Sequence, residues 1–200
     1  MSEQKMITTA KTFDTIAKVC KSIFEAVAII CAIFAVLMVL FGEKMFDAGS
    51  FSLDLSYITL HLSSEFQPSM DLIETAIMIL LAGLSVVFVM ISYGIKQFRG
   101  ILAPMKDGRP FEADAPRKLK NIAWTTLVAG CVFNAILFAE SMILTSAFPM
   151  EQIFSSPAIE EVEFVYSMDF NFVLIFCAFM FLSYIFDYGQ KLQQEADETL

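Results

Sequence analysis

The chain has 200 residues, of which 57% are hydrophobic and 18% are charged, and its formal net charge is −9. Four long apolar runs fill this length and leave no room for a separate soluble domain. The four cysteines show no C-x-x-C spacing, so the sequence gives no support to a disulfide framework or a zinc site.

The apolar runs predict the fold class. Each has about 17–19 residues and reaches about 26–28 Å, close to the bilayer hydrocarbon thickness of about 30 Å. Apolar residues cover all sides of each run, unlike those of a soluble core helix. The sequence therefore predicts an all-α membrane protein with four transmembrane helices, at residues 24–41, 77–95, 122–139 and 170–186.

A short repeat suggests how the four helices are organised. Tyr93-Gly94-Ile-Lys96 ends the second span and Tyr188-Gly189-Gln-Lys191 ends the fourth. Duplication of a helical hairpin predicts two tandem hairpins, and chance matching in aromatic-rich spans is the alternative.

Lysine and arginine predict the orientation. All but one of the 13 cations lie before the first span, in the loop 96–120 or in the tail 187–200. The positive-inside bias places these segments, and both termini, in the cytoplasm. The sequence thus predicts one domain over residues 1–200, with outer loops at residues 42–71 and 140–169.

The segment before the first span is amphipathic. Ile7, Phe13, Ile16, Val19 and Ile23 recur at roughly helical spacing with lysines between them. This pattern is typical of a helix lying at the inner membrane interface. A plain cytoplasmic extension of the first span is an equal alternative.

Both outer loops contain strand-like sequence. Phe51, Leu53, Leu55 and Tyr57 alternate in the first loop, and residues 162–168 of the second are rich in strand formers. The sequence predicts a small β pairing between the two loops. The alternative is that both segments lie at the membrane interface.

The loop 96–120 contains recognisable helix ends. The second helix is expected to continue to Leu102, and Pro104 weakens it beyond that residue. Residues 107–110 are Asp-Gly-Arg-Pro, a sequence that favours a turn. Asp114 is the predicted N-cap of the third helix, which begins at about Pro116.

Few residues in the sequence are of types that catalyse reactions or bind metals and cofactors. His61 is the one histidine, and neither an H-E-x-x-H cluster nor a Gly-rich phosphate loop is present in the sequence. The sequence predicts no enzyme activity, no cofactor and no metal site. Asn134 is the one strongly polar residue deep in a span, and we expect it to hydrogen-bond another helix.

The sequence is also compatible with two functions other than regulation. One is a small transporter or permease-like subunit, working as a dimer, whose pathway is lined by Asn134, Thr125 and Ser92. The other is a sensor of extracytoplasmic cationic ligands that uses outer-loop acids: Glu160, Glu161 and Glu163.

Two short motifs lie in the segments predicted to be cytoplasmic, one in the loop 96–120 and one in the tail 187–200. Gly108-Arg109-Pro110-Phe111 precedes the third span, and the chain ends with Leu192-Gln-Gln-Glu195-Ala-Asp197-Glu-Thr199-Leu200. In this order they resemble the bacterial four-span family known as domain of unknown function 2975. Glu112 departs from the Ser or Thr expected after Phe111, which moves the N-cap role to Asp114.

The resemblance implies a bacterial inner-membrane protein, often encoded beside a small helix-turn-helix regulator. An apolar stripe along the tail, including Ile185, Tyr188 and Leu192, is expected to pack on the middle loop or to dock a partner.

The leading hypothesis is a regulatory or accessory protein whose partners are the lipid bilayer and a helix-turn-helix transcription regulator. We expect this protein not to bind nucleic acid directly. A second copy of the chain, forming a homo-oligomer, is an additional candidate partner. The predicted partner-binding residues are Gly108, Arg109, Pro110, Phe111, Leu192, Gln193, Glu195, Asp197 and Thr199.

Overall fold

A computed structural model describes residues 3–45, 52–54, 59–61, 68–108, 114–148 and 168–198. Its elements are, in chain order, α1 (Glu3–Met45), β1 (Ser52–Asp54), β2 (Thr59–His61), α2 (Met70–Met105), α3 (Ala115–Ala147) and α4 (Asn171–Glu198). The four helices are long and apolar enough to cross a membrane. The predicted fold class, an all-α multi-pass membrane protein with four spans, is confirmed.

The two strands form a short antiparallel pair, in which Leu53 lies opposite Leu60. Both strands belong to the first of the two predicted outer loops. The pairing predicted between the two outer loops needs residues 162–168, which lie outside the described residues. That pairing stays a prediction.

The helices are longer than the apolar runs within them. α1 is continuous from Glu3, so the residues before the first span extend that span as one helix. This continuity supports the extension over a separate helix lying in the interface plane. α2 continues to Met105 and keeps Pro104 in its last turn.

The described part of the connection from α2 to α3, residues 106–108, forms a turn at the predicted place. Gly108 has a φ of 78° and donates its backbone N–H to the carbonyl of Met105 at 3.3 Å. A left-handed glycine is a common end to a helix, because it lacks the Cβ that opposes this conformation. Asp114 immediately precedes α3, and its carbonyl accepts the N–H of Lys118 at 3.0 Å.

The contacts of the chain group it into two compact units. Unit 1 comprises Met1–Ile30, Leu84–Asn134 and Met168–Leu200, and unit 2 comprises Cys31–Gly83 and Ala135–Ser167. The prediction of one domain over the whole chain stays a prediction.

Within unit 2, the start of α2 meets the end of α3. The N–H of Ser69 donates to the carbonyl of Ala147 at 3.2 Å. A helix leaves its last four carbonyls without partners inside the helix, and this bond satisfies one of them.

Unit 1 contains a buried cluster formed by α2, α3 and α4. Its members are Ile101, Ala115, Leu119 and Ile122, and the residues packed against it are Phe98, Met105, Phe179 and Phe186. Ser183 of α4 is fully buried beside this cluster's helices, and its hydroxyl donates to the carbonyl of Pro116 at 2.9 Å. This bond fixes α4 to the first turn of α3.

Farther along, α3 and α4 come close at Gly130. A Cβ placed on Gly130 would collide with the ring of Phe172. Small residues at helix contacts allow close approach of backbones in membrane proteins.

We predict that Gly130→Ala lowers the free energy of unfolding by about 1–3 kcal/mol, because the added methyl overpacks the contact with Phe172. Gly94→Ala is the matched control, since its Cβ would lie 4.0 Å from the Thr125 side chain. That change should be neutral, or stabilise α2 by up to about 1 kcal/mol. Thermal unfolding of both variants in detergent, followed by circular dichroism, measures the difference. Equal melting temperatures would contradict the close packing at Gly130.

Candidate functional site

The candidate site lies in unit 1, where α1 begins, α2 leads to α3, and α4 ends. We name it the terminal end and define it as residues 3–23, 96–108, 114–121 and 187–198. It includes the described part of the second predicted motif. Hydrogen bonds and ion pairs within it join α1 to α2, and a hydrogen bond joins α2 to α3.

Asp14 of α1 binds two cations from the end of α2. Its carboxylate accepts a hydrogen bond from Arg99 Nε at 2.8 Å and another from Lys106 Nζ. The Asp14 side chain is only 16% exposed. Charge-assisted hydrogen bonds are among the stronger polar contacts in proteins, and shielding from water strengthens them. This triad therefore ties the beginning of α1 to the end of α2.

Polar side chains recur at every seventh residue along this face of α2 and into the turn that follows it: Ser85, Ser92, Arg99 and Lys106. The Ser92 hydroxyl donates to Glu25 at 3.1 Å, and the Ser85 hydroxyl donates to the carbonyl of Ala28 at 3.0 Å. A seven-residue spacing keeps one helix face against its neighbour over several turns. Within unit 1, α1 and α2 thus form an antiparallel pair with polar contacts along it.

The buried side of α1 in unit 1 is made largely of alanine. Ala10, Ala17 and Ala28 are less than a tenth exposed. The bulky apolar residues predicted to lie at the membrane interface are on the open side, and each is about half exposed: Phe13, Ile16, Val19 and Ile23. Small side chains allow the α1 backbone to approach α2 closely.

Lysines connect α3 to both of its neighbours. Lys118 Nζ donates to the carbonyl of Gly100 on α2 at 3.2 Å. Lys120 Nζ lies 5.5 Å from the ring centroid of Tyr184 on α4, within the range of a cation–π contact. Two of the lysines on which the predicted orientation rests therefore also take part in helix packing.

The tail of α4 exposes apolar side chains. Ile185, Tyr188 and Leu192 are 45%, 65% and 48% exposed, and their spacing places them on one side of the helix. Lys191 and Asp187 form an ion pair at 3.1 Å on the same helix. Such exposed pairs contribute only about 0–1 kcal/mol. Ile185, Tyr188 and Leu192 of the predicted stripe are therefore exposed.

The structure describes only part of the predicted partner-binding set. Gly108 ends the turn after α2, and Leu192, Gln193 and Glu195 are exposed on α4. Asp197 belongs to α4, but its side chain is not described. The rest of the set lies outside the described residues: Arg109, Pro110, Phe111 and Thr199. A common surface formed by the two motifs stays a prediction.

The three residues proposed for a transport pathway enter separate contacts. Asn134 Nδ2 donates to the carbonyl of Asp169 at 3.1 Å, and the N–H of Asp169 donates to Asn134 Oδ1 at 3.3 Å, next to the start of α4. Thr125 lines an apolar groove in unit 1, and Ser92 binds Glu25. Asn134 therefore anchors the segment that leads into α4.

Asp14 was not among the predicted site residues. Its signal in the sequence is its position, because Ala10, Asp14, Ala17 and Lys21 recur at alternating steps of four and three. Such steps mark one face of a helix that packs against another helix. Within the described residues, no group of three or more His, Cys, Asp or Glu side chains is placed to hold a metal ion.

The four apolar helices define this chain as a multi-pass membrane protein. The profile of the family described as Protein of unknown function (DUF2975) matches residues 61–200. The chain therefore belongs to the DUF2975 family, and the matched region includes α2, α3 and α4. The comparison with curated proteins gives no match, and neither does the comparison with solved structures.

We predict that Asp14→Asn lowers the free energy of unfolding by about 1–2 kcal/mol, because two cations lose a shared anionic acceptor. Asp187→Asn, which breaks an exposed pair on α4, is the matched control and should change stability by less than about 0.5 kcal/mol. Thermal unfolding in detergent at low and high salt measures both effects.

The double variant Asp14→Asn with Arg99→Gln tests whether the two residues act through each other. The combined loss should be smaller than the sum of the single losses, since each single change removes the same contact. Additive losses would show that Asp14 and Arg99 are not coupled.

Proposed function

We propose that this protein is a non-enzymatic regulatory or accessory protein of a bacterial cytoplasmic membrane, whose terminal end binds a cytoplasmic partner protein. A helix-turn-helix transcription regulator is the first candidate partner, because the family resemblance implies one. The observation that carries the proposal is the exposed apolar stripe on the tail of α4.

The position of the stripe distinguishes it from ordinary lipid-facing surface. Tyr188 and Leu192 follow the end of the fourth predicted span at residue 186, so we expect them to lie beyond the hydrocarbon layer. Burying a large apolar side chain stabilises a complex by about 1.5–3 kcal/mol relative to leaving it in water. Side chains three and four residues apart on one helix are the usual anchors for docking in a groove.

The tail is also attached to a firmly packed base. Ser183 precedes Tyr188 on the same helix, is fully buried and donates a hydrogen bond to the carbonyl of Pro116. A partner would therefore meet a helix that is already ordered, which lowers the entropic cost of binding. The contacts described at the terminal end are packing contacts, and the proposal assigns them no catalytic role.

The two alternative functions have less support. A transport pathway through Asn134, Thr125 and Ser92 would need these side chains on one route, whereas each takes part in a separate contact. The acids proposed for a sensor of cationic ligands lie outside the described residues: Glu160, Glu161 and Glu163.

We predict that Tyr188→Ser with Leu192→Ser reduces recovery of the partner at least about tenfold, because both anchors are lost. The test is a crosslinked pull-down from native membranes through an N-terminal tag, with mass spectrometry. The matched control is Gln190→Ser with Gln194→Ser, on the other side of the same helix. Wild type and control should recover one small DNA-binding protein at equal membrane levels. Equal recovery by the Tyr188/Leu192 variant would show that the stripe is not the docking surface.

The orientation of the chain has its own test. Alkaline phosphatase fused after residue 57 should be active, and the same enzyme fused after residue 108 should be inactive, because it folds only outside the cytoplasm while the basic loop stays inside. Green fluorescent protein fused after residue 200 should fluoresce. The reverse pattern would place the terminal end outside the cell and remove the proposed partner.

A further inference from the structure

A groove runs along unit 1 and is lined by α2, α3 and α4. Its volume is about 650 Å³. Its lining residues belong to the second, third and fourth predicted spans, apart from Phe98 just beyond the second span. The aromatic residues in its wall are Phe88, Phe98, Phe133, Phe172 and Phe179.

The few polar side chains in the groove are already bonded within α3. The Thr125 hydroxyl donates to the carbonyl of Asn121 at 2.7 Å, and the Thr126 hydroxyl donates to the carbonyl of Ile122 at 3.0 Å. Their hydroxyl hydrogens are therefore not available to a ligand. A polar solute would lose its hydration in this groove without replacement, which is costly. The wall favours an apolar ligand.

The length and depth of the groove suit hydrocarbon chains. From Leu84 to Phe98, α2 rises about 21 Å, so the groove follows a large part of a hydrocarbon layer about 30 Å thick. An extended hydrocarbon chain lying along the groove would contact its apolar wall over this length.

We propose that this groove is a binding site for the hydrocarbon chains of a membrane phospholipid. The surrounding bilayer supplies such chains at the depth of the lining residues. This inference is independent of the proposed function, because Tyr188 and Leu192 do not line the groove.

A chain in the groove differs from the ordinary lipid around the protein. Leu174, which is 71% exposed, and Val128, which is 47% exposed, meet lipid from one side only. A chain in the groove is contacted by three helices and gains more dispersion contacts along its length. Its binding should therefore saturate at low lipid content, whereas contact at the open surface increases with lipid content.

Gly94 allows the groove to be filled without disturbing its walls. A Cβ at this position meets only the Thr125 side chain, at 4.0 Å. Gly94→Phe places a large side chain in the groove. Gly94→Ala changes the same backbone position and leaves most of the volume open.

The experiment measures binding of palmitoyl-oleoyl phosphatidylglycerol and, separately, phosphatidylethanolamine to delipidated protein in detergent, by native mass spectrometry. Wild type and Gly94→Ala should bind one phospholipid with the same affinity, and Gly94→Phe should bind at least about tenfold more weakly.

Equal binding of the two headgroups assigns recognition to the chains, and a strong preference for either one would overturn that assignment. Equal binding by all three proteins, or none by wild type, would overturn the site. A lipid-free dimer of wild type that Gly94→Phe converts to a monomer would show that a second copy occupies the groove.

A second measurement uses the wild-type chain and does not depend on how the variant folds. Phospholipid with a photoreactive diazirine in its acyl chain is mixed into nanodiscs at increasing mole fraction, and adducts are mapped by mass spectrometry. Adducts on Phe133 and Phe179 should reach a plateau at low mole fraction, while adducts on Val128 and Leu174 rise in proportion. Proportional labelling at all four residues would show that the groove holds only exchanging bulk lipid.

Discussion

Inside a bilayer the peptide groups of a chain have no water to bond, so each apolar run must form a helix that satisfies its own backbone. The four long helices of this protein follow from that constraint. It also weakens the hydrophobic drive for packing, because lipid covers an apolar side chain as well as another helix does. The arrangement of the helices therefore depends on close contacts of small residues and on a few polar bonds.

Several of those polar bonds lie near the helix ends of unit 1. Asp14 holds Arg99 and Lys106, and Ser183 holds the first turn of α3. A carboxylate shared by two cations and a fully buried hydroxyl are specific contacts, which a shifted helix would lose. The same region presents exposed apolar side chains on α4 beyond the predicted span, and this combination of a fixed base and an exposed stripe suits the proposed docking surface.

The candidate site was only partly predictable. Helical spacing identified the stripe that includes Tyr188 and Leu192, because spacing fixes which residues share a side of a helix. The spacing could not show whether that side is covered. On α1 the same reasoning selected Phe13 and Ile16, whereas the structure buries Ala10 and Ala17. An alanine face carries little hydrophobic signal, although its small size is what allows two helices to approach.

The sequence by itself determined the four spans, the end of α2 near Pro104 and Gly108, and the start of α3 after Asp114, since these depend on local hydrophobicity and backbone preference. Only the tertiary structure decided that Asp14 meets Arg99, that Asn134 binds the main chain of Asp169, and that three helices leave an apolar groove between their side chains. These features join residues far apart in the chain. No local preference encodes such distances, because they depend on how whole helices lie against each other.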